Sequence, residues 1–325
     1  MKNNSVTTSA PGKLLLMGDH AVVYGYPCIV SAVSERIAVT VTTIEEPFFE
    51  LDALDVNIHG YKKSMSEMGV GVIPRDVIFA ELAAKNFIKS FPFSGGISIK
   101  THSQFSQSIG FGSSAATVVS TLAALVKLFH TSIFEKQIFL LAKQTVLDVQ
   151  GVGSGFDVAA ALYGGTLVFQ NKGETIEPLT ISAIPLIVGY TGIKADTATI
   201  VQSVAQKREK EKGKVDRIFE AIGKLVEEAK GKMLEGDWER VGRLMDFNQD
   251  YLRDLGVSSE KLESLISAAK NAGAWGAKLS GAGGGDCMIA VTSQDKRAAV
   301  TAAIDHAGGT VINVLPGEQG VRAET

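Results

Sequence analysis

Glycine gathers in three places along this 325-residue chain, SIGFGSSAATV at 108–118, QGVGSGFDVAAALYGG at 150–165 and KLSGAGGGD at 278–286, and each stands at the edge of a regular pattern. Such segments let the backbone turn sharply and approach a ligand closely. In the first, Gly110 and Gly112 precede Ser113 and Ser114, and a helical run follows at once. Backbone N–H groups beside small residues, with the positive end of a helix dipole, make a phosphate cradle. An ordinary helix capped by serine after a tight turn fits the same letters. No lysine follows the glycines, so this is not a Walker A loop, and a cation for phosphates would have to come from elsewhere.

Lys13 is the candidate, in SAPGKLLLMGDHAVVYG, with Asp19 and His20 one short strand later. Taken alone, Lys13 reads as a surface lysine and His20 as a structural histidine. Asp157 stands between the second glycine segment and a small-residue helix. It could cap that helix, or accept a proton from a substrate hydroxyl with a lysine nearby to keep it ionised. Four glycines within residues 281–285 are more than a simple hairpin needs, and point to backbone lying close to a ligand.

With 45% hydrophobic residues the chain can bury a large core, and its length predicts two domains with a boundary near residue 180. Strands are predicted at 13–17 and 28–42, helices over 75–90, 114–129 and 134–149, and a strand pair at 166–170 and 185–190. Beyond these, the charged stretch 206–235 reads as a solvated helical face, followed by helices at 236–254, 258–272 and 295–306 and a strand at 286–292. A net charge of −3 with dispersed basic residues predicts no nucleic-acid or membrane partner, and a small molecule instead. Cys28 and Cys287 alone cannot build a disulfide framework, and the apolar run before Gly18 is too short for a signal core or membrane span. A cytoplasmic protein is expected.

Together and in this order, the segments resemble the superfamily of galactokinase, homoserine kinase, mevalonate kinase and phosphomevalonate kinase, the GHMP kinases. PGKLLLMGDHAVVYG resembles the N-terminal motif of mevalonate kinases, GFGSSAA their ATP-binding motif, WGAKLSGAGGGDCMIAV their C-terminal glycine loop, and GEQGVRAE the tail of archaeal-type members. The resemblance implies an α+β fold of two domains, residues 1–180 like ribosomal protein S5 domain 2 and residues 181–325 ferredoxin-like, with the site between them. It implies ATP on Gly110, Gly112, Ser113, Ser114 and Ala115, closed over by Gly283 and Gly284, with Mg²⁺ touching Ser113 or Ser114. Asp157 would match the catalytic aspartate and Lys13 its lysine, while Asp19, His20 and Thr197, in KADTATIV, would meet the acceptor.

Several positions depart from the family pattern. Asp19 replaces the glutamate of GEHAVVYG. The family's metal-binding glutamate falls at Val146, which cannot ligate a hard cation. Asp148 is the nearby substitute, although two residues along a helix it points to nearly the opposite face. Asp286 ends the glycine run, where it would repel a nucleotide unless a metal intervened. GSGFDVAAALYGG is closer to phosphomevalonate kinases, and Lys194 could serve a phosphorylated acceptor. The expected activity is phosphorylation of mevalonate, with phosphomevalonate kinase or a silent ligand sensor as alternatives. A homodimer is allowed for, though the sequence does not fix it.

Overall fold

Val, Ile and Thr crowd residues 28–44, and such β-branched residues suit a pleated strand buried on at least one face. In the computed structural model, which describes residues 4–104, 110–181 and 183–324, they form a long strand, β2 (Cys28–Ile44). β2 runs antiparallel to β1 (Ser5–Met17) along one edge. Next come β3 (Phe48–Ala53), β4 (Ile58–Ser64), helix α1 (Ile78–Ser90) and β5 (Gly96–Ser103). The other edge of β2 is shared: its second half pairs with β5, and its first four residues pair with β6 (Thr166–Gln170).

Between β5 and β6 lie α2 (Ser113–Leu128), α3 (Glu135–Gln150) and α4 (Phe156–Tyr163). β7 (Thr175–Leu179) pairs with β6 and ends the excursion. The parallel neighbours β3 and β5 are the exception in an otherwise antiparallel sheet. α2 packs on β1 and β2, with α1 and α3 beside it. Its alanine, valine and leucine side chains are buried along most of its length. Inside that core Thr8 Oγ1 donates to the Ser120 carbonyl at 2.7 Å, so β1 and α2 are held in fixed register by a satisfied polar bond.

A second, four-stranded antiparallel sheet contains β8 (Leu186–Tyr190) and three later strands. The chain first makes α5 (Thr197–Lys210), α6 (Lys212–Glu235), α7 (Trp238–Leu255) and α8 (Glu260–Asn271). β9 (Gly276–Ser280), β10 (Cys287–Val291), α9 (Arg297–His306) and β11 (Thr310–Ile312) follow, giving the order β11-β8-β10-β9. α6 buries Val215, Ile218, Phe219, Ile222 and Val226 at helical spacing, so the charged stretch is a solvated face on an amphipathic helix.

Two expectations change. β6 and β8 do not pair with each other but lie in different sheets. The tail also returns: β12 (Arg322–Ala323) pairs with β1, so a cut at residue 180 does not separate the sheets. The Arg36 guanidinium anchors this return by donating to the carbonyls of Gln319 and Gly320, each at 2.7 Å. No helix among the described residues is long and apolar enough to cross a membrane.

Candidate active site

The register of β1 against β2 shifts between Pro11 and Lys13, and this irregularity aims the lysine at the loop before α2. There the Lys13 N–H donates to the Phe111 carbonyl at 2.8 Å, and its Nζ donates to the Gly110 carbonyl at 3.1 Å. Gly112 is the N-cap of α2 in the left-handed conformation, φ 77°, and a Cβ there would stand 3.1 Å from Lys13 Cγ. The lysine stem therefore lies across the loop and brings its ammonium to the start of α2. Ser113 and Ser114 form the opening turn, whose N–H groups have no intrahelical acceptors. Ala115 contributes backbone alone, because its methyl is buried in the core. Ser108 and Ile109, the first residues of the cradle segment, lie outside the described residues.

Asp157 is the second residue of α4, and Gly155, at φ 96°, holds the N-cap position. Asp157 is thus not the cap, though its Oδ1 accepts the Val158 N–H at 3.0 Å. Burial pushes its carboxyl above the ordinary aspartate value, while the Lys13 charge pulls in the opposite direction. Both side chains line a cleft of about 840 Å³, with Gly110, Gly112, Ser113 and Ser114 on the same wall. The Phe156 ring packs below the lysine, its centroid 5.8 Å from Nζ.

The opposite wall belongs to the loop between β9 and β10. Ser280 Oγ donates to the Leu15 carbonyl at 3.0 Å and accepts the Leu15 N–H at 3.2 Å, which stitches the second sheet to β1. Gly281 and Ala282 face the cleft. Gly283 and Gly284, expected to close over ATP, pack on their inner side against Val257 and Ile200, and the Gly284 N–H donates to the Val257 carbonyl at 2.8 Å. A Cβ on Gly283 would stand 2.1 Å from the Val257 carbonyl, and one on Gly284 2.6 Å from Ile200 Cδ1. Their glycines are needed for packing of the loop against its own half of the molecule.

Asp19 also differs from expectation. Its side chain is 0% exposed, its Oδ2 lies 2.5 Å from the equally buried Lys278 Nζ, and its Oδ1 accepts the Gly281 N–H at 2.7 Å. It lies beneath the cleft lining, where its oxygens are taken up by Lys278 and the Gly281 N–H. Lys278 was not singled out in the sequence; a lone charge in the apolar strand GAKLS was the available signal. His20 does reach the cleft, with Nε2 2.9 Å from the Ala282 carbonyl, and burial lowers its pKa.

Thr197, the first residue of α5, lines the cleft together with Lys194 and Arg75. Arg75 precedes α1 beside Asp76, and a charged pair before a helix carries no signal for a site. The Asp196 carboxylate caps α5 by accepting the Thr199 N–H at 3.3 Å and the Thr199 hydroxyl at 2.7 Å.

The donor set for Mg²⁺ is sparse. Among the described residues no three His, Cys, Asp or Glu side chains gather as a metal cluster. Val146 is buried in the core. Asp148, the expected substitute, is exposed on α3 and accepts from Asn86 Nδ2 at 3.2 Å and Gln144 Nε2 at 2.7 Å, off the cleft wall. Ser113, Ser114 and the Asp286 carboxylate do line the cleft. Mg²⁺ on a nucleotide needs one or two carboxylates besides the phosphates and keeps several waters, so this oxygen set fits it.

Comparison with known proteins agrees with this geometry. Residues 78–165 match the family described as GHMP kinases N terminal domain, and residues 224–310 match GHMP kinases C terminal. Mevalonate kinase of Thermococcus gammatolerans is 35% identical over 98% of both chains. The crystal structure of Methanococcus jannaschii mevalonate kinase superposes with a TM-score of 0.82 at 25% identity, covering 98% of this chain and 100% of that one. That of L. major mevalonate kinase in complex with R-mevalonate gives 0.77 at 26%, covering 98% of each. With the cradle of α2, Lys13 and Asp157 facing one cleft, this chain is a small-molecule kinase and belongs to the GHMP kinase family, on its mevalonate kinase branch.

Proposed function

We propose that this protein phosphorylates mevalonate on its terminal hydroxyl with ATP and Mg²⁺, in the cytoplasm, as a step toward isoprenoid precursors. The observation that carries the reading is the convergence of Lys13, Asp157 and the opening turn of α2 on one cleft, in a chain related over its length to mevalonate kinases. Phosphoryl transfer asks for positioning and charge neutralisation. The α2 turn and the Lys13 ammonium take the phosphates. Asp157 orients the acceptor hydroxyl and accepts its proton, and the raised pKa that burial gives it makes it a better base than an exposed aspartate. His20 and Thr197 border the acceptor, and Arg75 and Lys194 offer positive charge to the mevalonate carboxylate. Mg²⁺, when bound, neutralises phosphate charge; Ser113, Ser114 and a cleft carboxylate would hold it.

The two cations on the acceptor side also suit a phosphate, which keeps phosphomevalonate as the second reading. A coupled ADP-release assay separates the two. Turnover on mevalonate that vanishes in Asp157→Asn supports the first; turnover on 5-phosphomevalonate alone transfers the chemistry to the second. ATP binding without turnover on either acceptor would overturn both.

A further inference from the structure

We propose that Asp286 supplies the carboxylate that holds the divalent cation of the bound nucleotide, from the C-terminal glycine loop and across the cleft from α3. This rests on the kinase reading above. The remaining carboxylates near the cleft are already engaged. Asp157 faces Lys13 and the acceptor, Asp196 spends both oxygens on Thr199, and Asp148 is held by Asn86 and Gln144.

Asp286 is placed differently. Its backbone adopts φ 52°, a left-handed conformation that closes the glycine run with a non-glycine residue. Its N–H donates to the Ile193 carbonyl at 2.7 Å, and its carbonyl accepts from the Thr191 N–H and the Thr191 hydroxyl, each at 2.9 Å. Oδ1 accepts the Ala195 N–H at 3.1 Å, which fixes the carboxylate. Oδ2 then lies against Gly110, where a Cβ would stand 2.4 Å from it. Gly110 is also the residue whose carbonyl receives Lys13 Nζ. A fixed carboxylate from the opposite wall therefore abuts the first glycine of the phosphate loop, in the cleft that Ser113 and Ser114 also line.

The sign of the electrostatics makes the assignment testable. A carboxylate beside a polyphosphate repels it when no cation lies between them and attracts the complex when one does. Removing the charge should weaken the metal–nucleotide complex while leaving the metal-free nucleotide unaffected or bound more tightly. A residue that only shapes the loop would change both alike.

The experiment uses the full chain with a non-hydrolysable ATP analogue. Mn²⁺ affinity of the protein–analogue complex is read by electron paramagnetic resonance, and analogue affinity in EDTA by calorimetry. Asp286→Asn keeps an acceptor for the Ala195 N–H, and Asp286→Gly suits the left-handed backbone. Both are expected to weaken Mn²⁺ by about ten-fold or more, with analogue binding in EDTA equal or tighter, and Asp148→Asn should leave Mn²⁺ affinity unchanged. Unchanged Mn²⁺ affinity in the Asp286 variants, an equal loss with and without metal, or a loss on Asp148→Asn would overturn the proposal. Failure of the wild type to phosphorylate mevalonate would sink the acceptor assignment and leave this metal readout standing.

Discussion

Two aspartate–lysine pairs are built around the end of β1, and they have opposite surroundings. Asp157 and Lys13 face an open cleft, with Asp157 partly exposed and Lys13 bonded to a loop carbonyl. Asp19 and Lys278 lie at 0% exposure, 2.5 Å apart. The first pair keeps charge accessible to substrate. The second spends its charge on architecture, because Asp19 also holds the Gly281 N–H and thereby one wall of the cleft. Residue type does not distinguish them; burial does.

The widest separation between the pairs should come from Asp157→Asn. Loss of a positioned base lowers kcat by roughly 10² to 10⁴-fold, while ATP affinity by calorimetry stays near wild type. Stability should move the other way. Because burial raises the Asp157 pKa, the ionised carboxylate costs folding free energy above its folded pKa, and that cost disappears below the ordinary aspartate value. The variant should therefore melt at or above the wild-type temperature at neutral pH, with the advantage lost in acid. A large drop in melting temperature would return Asp157 to a structural role.

Asp19→Ala should show the reverse pattern. It leaves the Lys278 ammonium buried without its partner, a change worth about 3–5 kcal/mol of stability, read by denaturant unfolding. The double variant Asp19→Ala with Lys278→Met should recover much of that loss, since no charge is then stranded. If the single variant instead keeps its stability and loses acceptor affinity, the assignment of Asp19 to the cleft would be restored.

Much of this frame was legible in the sequence. The helical spacing of apolar residues gave α1, α2 and α3 within a few residues, and the same spacing correctly turned Asp148 away from the position of Val146. Lys13, Asp157, Ser113 and Ser114, singled out in separate segments, share one cleft wall. Pairing was not legible, because β6 and β8 carry similar apolar runs and only the fold assigns them to different sheets. Nor was the partner of Asp19, since an ion pair between β9 and the end of β1 leaves no local pattern. At Gly283 and Gly284 glycine density reports close approach without saying to what. Here the neighbours are Val257 and Ile200.

That last point gives a smaller test within the glycine loop. Gly283→Ala, at φ 85° and 2.1 Å from a carbonyl, must displace the loop, at about 1–2 kcal/mol for the backbone alone and more for the contact. Gly281→Ala has a comparable φ of 105° but no atom within 4 Å, so its cost should stay near the backbone figure. Because Gly281 lines the cleft, its variant should raise the KM for ATP or acceptor more than its melting temperature falls. Equal destabilisation by the two would mean that the loop does not rest on Val257.

His20 supplies the smallest effect, and its sign opposes that of Asp157. Burial holds its folded pKa below the ordinary value of 6.5, with the Ala282 carbonyl and Asp19 pulling it back up. The unfolded chain therefore binds the proton more readily. His20 contributes stability in full above pH 6.5 and loses it as the pH falls toward the folded pKa. His20→Asn, which replaces the imidazole with a polar group that does not titrate, should flatten the melting temperature between pH 6.5 and lower values. A wild-type profile that is already flat there would show that the imidazole is not enclosed, and that the stitched wall around Ala282 opens readily in solution.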